Sequence, residues 1–251
     1  MQQLRVQKLL SENGILSRRK AEQAIMEKRV TVNGRPCELG HKVNLQKDIV
    51  AIDGVSLRLG RQKQRIYIIL NKPRGYLTTT QDERGRRCVL DLVRDVPDRI
   101  YPVGRLDKDS EGLLLLTNDG AFANEIMHPS GHVPRTYRVT VRPAITEEQV
   151  IRLSTGVKIE GDDRPTLPAA VHVQSREPNR AVLQITVREG RNRQIRRMCE
   201  AVGLSVARLR RISVGPVKLG MLQPGKWREL KPSELSALRG SVSRAKNNRE
   251  E

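Results

Sequence analysis

The amino-acid sequence predicts an α+β protein with a small N-terminal module and a larger, strand-rich module. In the larger part, strand-like runs outnumber helix-like runs and do not alternate with them regularly, which argues against a doubly wound parallel sheet. Residues 57–65 carry four basic side chains and little apolar content, as expected of an exposed linker. We therefore predict domains at residues 1–60 and 61–240, followed by a disordered polar tail at residues 241–251.

The charge of the chain indicates a polyanionic partner. Its 251 residues include 47 lysines and arginines against 28 aspartates and glutamates, a formal charge of +19. A merely soluble surface needs less charge than this, so RNA, DNA and anionic lipid are the candidates. The sequence has no apolar run of membrane-spanning length and no signal-peptide pattern, so we expect a cytoplasmic protein. The scattered cysteines, Cys37, Cys88 and Cys199, predict reduced thiols and no metal site.

Two short helices and several strands are predicted for the N-terminal module. Apolar residues recur at helical spacing between Leu4 and Met26, with a break at Asn13-Gly14 and Ser17 placed as an N-cap. Short β-branched runs at residues 30–34 and 48–54 end in turn dipeptides and predict strands.

Basic side chains surround these two helices. Arg18 and Arg19 fall in the first turn of the second helix, where the helix dipole and the guanidinium groups both favour phosphate oxygens. An ordinary solvated helix face is the alternative. We predict RNA contacts from the basic residues of this module, namely Arg5, Lys8, Arg18, Arg19, Lys20, Lys28 and Arg29.

The same segment carries a motif. The pattern GxxSRRxAExxI at residues 14–25, followed by RVTVNG at residues 29–34, resembles the alpha-L (S4-like) RNA-binding domain of a small-subunit ribosomal protein and several RNA enzymes. The resemblance covers about residues 2–60. It implies recognition of structured RNA through shape and phosphate contacts, and it does not imply catalysis.

The second module is predicted to be mixed and strand-rich, without an internal repeat. Its strands are predicted from short β-branched and apolar runs, and its helices from apolar residues at helical spacing. The predicted strands are residues 66–70, 99–103, 113–117, 135–142 and 181–187, and the predicted helices are residues 146–154 and 194–202.

One loop of this module stands out as a candidate site. Residues 101–120 read YPVGRLDKDSEGLLLLTNDG, in which a strand leads into a glycine-containing loop that presents Asp107. Arg105 and Lys108 flank Asp107 and favour its ionised form, which can serve as a nucleophile or a base. A loop aspartate held in a salt bridge is the alternative that the residues alone leave open.

The segment GRLDKDSEGLLLLTNDG is similar to the signature motif of the bacterial ribosomal RNA pseudouridine synthases of the small-subunit type. In this family Asp107 matches the catalytic aspartate, whereas Asp109 and Asp119 do not. Three further motifs extend the resemblance to about residues 2–238; they are LNKPRGY at residues 70–76, PRTYRV at residues 134–139 and EGRNRQIRRM at residues 189–198.

The resemblance implies roles for particular residues. Tyr137 matches a tyrosine that stacks on the target base, with a core tyrosine as the alternative. Arg196 matches an arginine that pairs with the catalytic aspartate, with Arg193 in reserve, although the arginines there could instead form only an RNA-binding helix face. Lys72 is expected to have mainly a structural role. Further RNA contacts are expected from Arg105, Arg135, Arg191, Arg193 and Leu209, the last of which could also be a plain core leucine.

The implied reaction is the isomerisation of a specific uridine of ribosomal RNA to pseudouridine, without a metal or cofactor, by a monomeric enzyme. The sequence EGRNRQIRR most resembles that of the large-subunit type B branch of the family. This resemblance implies that the substrate is 23S RNA near the peptidyl transferase centre. Small-subunit 16S RNA is the alternative substrate. A noncatalytic, RNA-binding ribosome-assembly factor and a DNA-binding regulator are the alternative functions.

Overall fold

The buried apolar residues of the chain form cores in two units. The computed structural model describes residues 3–44, 46–57, 64–80 and 82–247. One unit comprises Met1–Arg65 with Asn118–Gly120, and the other comprises Ile66–Thr117 with Ala121–Glu251. The predicted boundary at residue 60 and most of the predicted linker lie outside the described residues.

The N-terminal unit confirms the two predicted helices and their turn. Ser17 caps the second helix, because its hydroxyl accepts a hydrogen bond from the backbone N–H of Lys20 at 3.2 Å. Strand β1 pairs with β4, and an antiparallel sheet has the order β3-β2-β5-β6. The elements are β1 (Leu4–Arg5), α1 (Val6–Glu12), α2 (Arg18–Met26), β2 (Val30–Val32), β3 (Arg35–Pro36), β4 (Lys42–Val43), β5 (Val50–Ile52) and β6 (Val55–Ser56).

The second unit is built on one large sheet with helices around it. Short 3-10 helices lie at Val89–Leu92 and Pro129–Gly131. The other elements are β7 (Tyr67–Lys72), β8 (Tyr101–Val103), β9 (Glu111–Thr117), α3 (Gly120–Met127), β10 (Arg135–Arg142), α4 (Glu147–Thr155), β11 (Ala170–Glu177), β12 (Arg180–Val187), α5 (Gln194–Glu200), β13 (Ser205–Val214), β14 (Val217–Lys218), β15 (Trp227–Glu229) and α6 (Pro232–Asn247).

The predicted α+β class, with a mainly antiparallel sheet, is confirmed. Within the described part of the second unit the strand order is β11-β12-β10-β13-β9-β7-β15, with β14 beside β13 and β8 beside β9. Strands β9 and β13 run parallel, and the other pairs are antiparallel. The predicted strands and helices of this unit are present, with ends within two residues of the expected positions.

Burial explains why the strands differ in sequence pattern. Strand β9 contains a continuous apolar run, because both of its faces are covered. Leu113 and Leu115 pack into one core with Phe122, while Leu114 and Leu116 pack into a second core on the opposite face. Strand β12 instead alternates buried with partly exposed residues, as expected when one face packs on helices.

The predicted disordered tail is wrong over residues 241–247, because α6 continues through them to Asn247. Leu238 and Val242 lie four residues apart on this helix and are fully buried in the core that also contains Phe122. Because the residues around Leu238 and Val242 are mostly polar, the sequence did not predict this narrow apolar stripe on the helix. Residues 248–251 lie outside the described part of the chain. Across the described ranges, no helix is both long enough and apolar enough to cross a membrane.

The parallel pairing of β9 with β13 requires a glycine. Gly112 has a φ of +106°, and a Cβ at this position would lie 2.2 Å from the carbonyl oxygen of Arg211. Neither the backbone conformation nor the space admits a side chain. Gly112 therefore allows β13 to approach the end of the loop that carries Asp107.

We expect Gly112→Ala to destabilise the second unit by more than about 2 kcal/mol, from the left-handed backbone and the clash with Arg211 together. Chemical denaturation followed by circular dichroism measures this change. Gly240→Ala is the matched control, because Gly240 lies in α6, where an added Cβ would meet no atom within 4 Å, and the substitution should be neutral or slightly stabilising. Equal stability of the two variants would contradict the close approach.

Candidate active site

A cavity of about 560 Å³ opens beside the loop that carries Asp107. This volume lies within the usual range for small-ligand sites. Its lining includes Asp107 and Tyr137, which were predicted to be catalytic, and Leu209, which was predicted to contact RNA. Arg105, Arg135 and Arg193 also line the cavity, and Arg105 reaches a neighbouring groove lined by residues 82–84 as well.

The backbone around Asp107 is held by hydrogen bonds on both sides. The hydroxyl of Thr78 donates to the carbonyl oxygen of Leu106 at 2.6 Å and accepts from its N–H at 3.3 Å. The carbonyl oxygen of Asp107 accepts from the N–H of Ser110 at 3.1 Å. The carboxylate itself remains 30% exposed and faces the cavity. A fixed backbone with an accessible carboxylate suits a reactive group.

Lys72 holds this loop from below. Its side chain is fully buried, and its ammonium group donates to the carbonyl oxygens of Pro73, Asp107 and Ser110 at 3.2, 2.9 and 2.7 Å. Burial lowers the pKa of Lys72 from 10.5 to about 8, an effect that the carboxylates of Asp107 and Asp109 oppose. The structural role expected for Lys72 therefore includes positioning the backbone of Asp107.

Among the described residues, the structure brings Arg193, the reserve assignment, to Asp107 and does not bring Arg196 into contact with it. Arg193 approaches the Asp107 carboxylate at 3.6 Å, whereas Arg196 contacts the Asp109 carboxylate at 3.1 Å. Arg196 lies one turn into α5, and it also donates to the carbonyl oxygens of Val206 and Asp109. Its side chain is only 13% exposed, so these partners hold it beneath the cavity.

Arg193 bridges the two carboxylates of the loop. Its guanidinium also lies 3.4 Å from Asp109, and the residue begins α5 in a left-handed conformation with φ of +48°. Residues other than glycine rarely adopt this backbone conformation, which costs about 1 kcal/mol or more. Such residues are often found at functional sites. Burial raises the pKa of Asp109, but the guanidiniums of Arg196 and Arg193 hold it below its usual value.

Tyr137 and Leu209 lie on neighbouring strands of the sheet. Leu209 on β13 is paired with Val139, two residues beyond Tyr137 on β10. Tyr137 is partly buried and packs against both flanking cores, and Leu209 is buried in one of them. Both residues also line the cavity, so the core and pocket interpretations describe the same placement.

Arg191 has a different environment from the one predicted. Its guanidinium contacts the carboxylates of Glu189 and Asp162, each at 3.1 Å, and donates to the carbonyl oxygens of Arg164 and Pro165. These partners occupy the donors that a phosphate would need, which argues against a direct RNA contact. Arg191 instead ties the segment before β11 to the start of α5.

The basic residues of the N-terminal unit are exposed, as predicted for RNA contacts. Arg29 binds both carboxylate oxygens of Asp53, at 2.8 and 2.7 Å, and is less available than the others. Lys8 and Arg18 form only long, exposed ion pairs with Glu12 and Glu22, which hold them weakly. The remaining exposed members of the predicted set are Arg5, Arg19, Lys20 and Lys28.

Arg211, which was not among the predicted site residues, also lines the cavity. Arg211 is 3% exposed, and its Nε donates to the carbonyl oxygen of Leu113 at 2.7 Å. It lies directly opposite Tyr137 in the β10–β13 pair. Because residues 208, 210 and 211 are all arginines, the sequence did not predict strand β13 or the burial of Arg211. Leu209, an apolar residue among these arginines, was the one local indication of a strand with a buried face.

Comparison with known families agrees with this architecture. A family model described as RNA pseudouridylate synthase matches residues 66–201, and an S4 domain model matches residues 4–50. The chain therefore belongs to the RNA pseudouridine synthases, which are isomerases, and carries an N-terminal S4 domain. Both resemblances noted in the sequence are confirmed.

Individual relatives span nearly the whole chain. An uncharacterised RNA pseudouridine synthase of Aquifex aeolicus (strain VF5) is 44% identical over 240 residues, covering 95% of this chain and 94% of the relative. Ribosomal large subunit pseudouridine synthase B of Bacillus subtilis (strain 168) is 41% identical over 246 residues, covering 97% and 98%. A crystal structure described as a pseudouridylate synthase has a TM-score of 0.69 at 30% identity, covering 94% of this chain and 99% of that one.

The buried ammonium of Lys72 predicts a pH dependence. As the pH rises through about 8, Lys72 loses a proton and one of its three carbonyl partners loses its donor, so we expect the single-turnover rate to fall. Between pH 8 and 10.5 the unfolded chain binds more protons than the folded chain at this residue, so its contribution makes stability rise with pH. A fall in the rate above pH 8 would therefore not be caused by unfolding through the titration of Lys72.

Single-turnover rates measured from pH 6 to 10 for the wild type and Lys72→Met test this expectation. The variant should be slower throughout and should lack the fall near pH 8. A fall of the same size and midpoint in both proteins would assign the titration to another group.

The two arginines are expected to differ in function. Arg193→Gly removes the cation nearest to Asp107, and we expect turnover to fall by about 100-fold or more, as for loss of a preorganised electrostatic contact. Its thermal midpoint should not fall, because glycine adopts the left-handed conformation without strain. Arg196→Met should lower the midpoint, because it leaves the partly buried Asp109 less well paired.

Single-turnover assays and thermal melts of both variants provide the comparison. Full turnover in Arg193→Gly, together with no turnover in a folded Arg196→Met variant, would contradict this expectation. It would indicate that Arg196 pairs with Asp107 in the active complex.

Proposed function

We propose that this enzyme converts a specific uridine of ribosomal RNA to pseudouridine, with Asp107 as its essential carboxylate. The observation that carries the proposal is a cavity that contains an accessible Asp107 carboxylate, a neighbouring Arg193 cation, and the Tyr137 ring. The membership of the chain in the RNA pseudouridine synthases supplies the reaction. A ribosomal RNA substrate also agrees with the expected cytoplasmic location.

The reaction breaks the bond between the ribose and a uracil nitrogen, turns the uracil, and rejoins it through a ring carbon. Asp107 either attacks the anomeric carbon or removes a ribose proton to give a glycal, and both routes need an ionised carboxylate. Arg193 places a positive charge 3.6 Å from that carboxylate. The proposal involves neither a metal nor a cofactor.

The uridine must leave its base stack before Asp107 can reach the sugar. Extruding a base costs a few kcal/mol, and stacking on an aromatic ring recovers about 1–3 kcal/mol. Tyr137 offers such a ring beside the carboxylate, and the buried Leu209 extends the apolar surface. These two side chains would hold the uracil while it turns.

Large-subunit RNA is the substrate that we favour. The Bacillus subtilis relative is described as a ribosomal large subunit enzyme, and it matches this chain from end to end. The formal charge of +19 suits a large, structured polyanion. In the S4 domain, Arg18 and Arg19 lie in the first turn of α2, where phosphate binding is favoured. Small-subunit RNA remains the alternative substrate.

Mapping of pseudouridine in ribosomal RNA tests this proposal directly. In cells that lack the gene, we expect one uridine of 23S RNA to lose its modification. A plasmid carrying the wild-type gene should restore the modification, and one carrying Asp107→Asn should not, because an amide cannot act as nucleophile or base.

Binding of the mapped RNA by Asp107→Asn is the control. It should stay within about threefold of wild type, since the substitution leaves the basic surfaces intact. If the variant restores the modification, Asp107 is not the essential carboxylate. If the lost modification lies in 16S RNA, the substrate assignment changes and the reaction stands; if every pseudouridine persists, the ribosomal RNA proposal fails.

A further inference from the structure

Two guanidinium groups that are at least partly buried in the cavity wall lack an acidic partner among the described residues. Arg135 on β10 and Arg211 on β13 both line the cavity that contains Asp107. Within the ranges that the structure describes, neither forms an ion pair with an aspartate or glutamate. Arg191, Arg193 and Arg196, by contrast, each contact a carboxylate. Arg105 and Arg188 also line the cavity without an acidic partner among the described residues, but they are exposed to solvent, whereas Arg135 and Arg211 are not.

The burial of Arg211 makes this arrangement costly unless a ligand completes it. Only 3% of the residue is exposed, and its Nε is used by the carbonyl oxygen of Leu113. Its two terminal nitrogens have no hydrogen-bond partner among the described residues, and they belong to a side chain that lines the cavity. A buried, unpaired guanidinium is expensive in free energy, and an anion would offset that cost.

Arg135 is in a similar position. It donates one hydrogen bond, to the carbonyl oxygen of Ile126 at 3.3 Å. Burial lowers the pKa of Arg135, and the positive charge of Arg211 lowers it further. Arg135 lies two residues from Tyr137, which is directly opposite Arg211 in the β10–β13 pair, so the two cations are near neighbours in the wall of one cavity. An anion between them would be attracted to both.

The sheet places these cations beside the apolar surface proposed for the base. Arg135 and Tyr137 are two residues apart on β10, and Leu209 and Arg211 are two residues apart on β13. Residues two apart lie on the same face of a strand, separated by about 6.6 Å. An apolar surface and a cationic surface thus adjoin in one cavity, which matches a nucleotide with its flat base and its anionic phosphate.

We propose that Arg211 and Arg135 form a phosphate subsite for the phosphodiester linkage next to the target uridine. This inference rests on the proposed function and specifies how that RNA is held. Guanidinium groups suit the role, because their planar donors bind two phosphate oxygens at once. Base pairing within the RNA would position the RNA strand only coarsely. The contact between the two arginines and the phosphate would place one nucleotide within reach of Asp107.

A protein–RNA cycle tests the subsite. The RNA is a hairpin that carries the uridine found by the mapping experiment, made with ordinary linkages or with one uncharged methylphosphonate 5′ or 3′ to that uridine. Dissociation constants are measured for the wild type and for Arg211→Met, in an Asp107→Asn background that prevents turnover. We expect Arg211→Met to weaken binding of the ordinary RNA about tenfold, which corresponds to about 1.4 kcal/mol.

The result expected from the cycle is that one methylphosphonate RNA binds wild type and Arg211→Met with the same affinity. Arg135→Met should behave likewise, and it keeps the test open if Arg211→Met does not fold. The matched control is Arg138→Met, an exposed arginine on β10 that does not line the cavity. It should weaken the binding of all three RNAs by the same factor, because it removes charge without removing this contact.

Equal weakening of the ordinary and methylphosphonate RNAs by the cavity variants would overturn the subsite. Turnover of the ordinary hairpin by the enzyme with Asp107 intact separates the two proposals. If the hairpin is converted but no coupling is seen, only the subsite fails. If the wild-type chain converts no RNA, the proposed function fails and the subsite fails with it.

Discussion

The active-site loop depends on the buried ammonium group of Lys72. A buried cation is tolerated only when its donors are used, and here Pro73, Asp107 and Ser110 each supply a carbonyl oxygen. Moving the loop away would leave that charge with the carbonyl oxygen of Pro73 alone among these three partners. The same bonds that stabilise Lys72 therefore fix the backbone from which the Asp107 carboxylate reaches the cavity. Lys72, at the end of β7, thus positions the backbone of Asp107.

The parallel pairing of β9 with β13 brings the rest of the cavity to this loop. Gly112 lets β13 approach closely, and β13 carries Leu209 and Arg211. Strand β10 pairs with the other edge of β13 and adds Tyr137. Both an aromatic surface and a carboxylate are thereby held by a sheet with apolar cores on its faces. This rigidity suits a reaction in which a detached uracil must turn without escaping.

Charge is distributed unevenly in the cavity. Arg193 contacts the carboxylates of Asp107 and Asp109, and Arg196 contacts that of Asp109. Arg135 and Arg211 have no such contact within the described residues, and the outer surface adds further positive charge. An RNA strand would therefore be drawn in by charge at long range and held at short range where charge is uncompensated.

The sequence alone determined the α+β class, the positions of most strands and helices, and the loop motif with Asp107, because periodicity and local turn chemistry are written in neighbouring residues. Tertiary structure alone decided which arginine contacts which carboxylate, since Arg193 and Asp107 are far apart in the chain. Arg193, the residue just before α5, also has a left-handed backbone conformation. Tertiary structure also decided that Arg191 is occupied within the protein, that α6 extends to Asn247, and that Arg211 is buried. Burial and ion pairing of long, flexible side chains depend on partners distant in sequence, which no local pattern reveals.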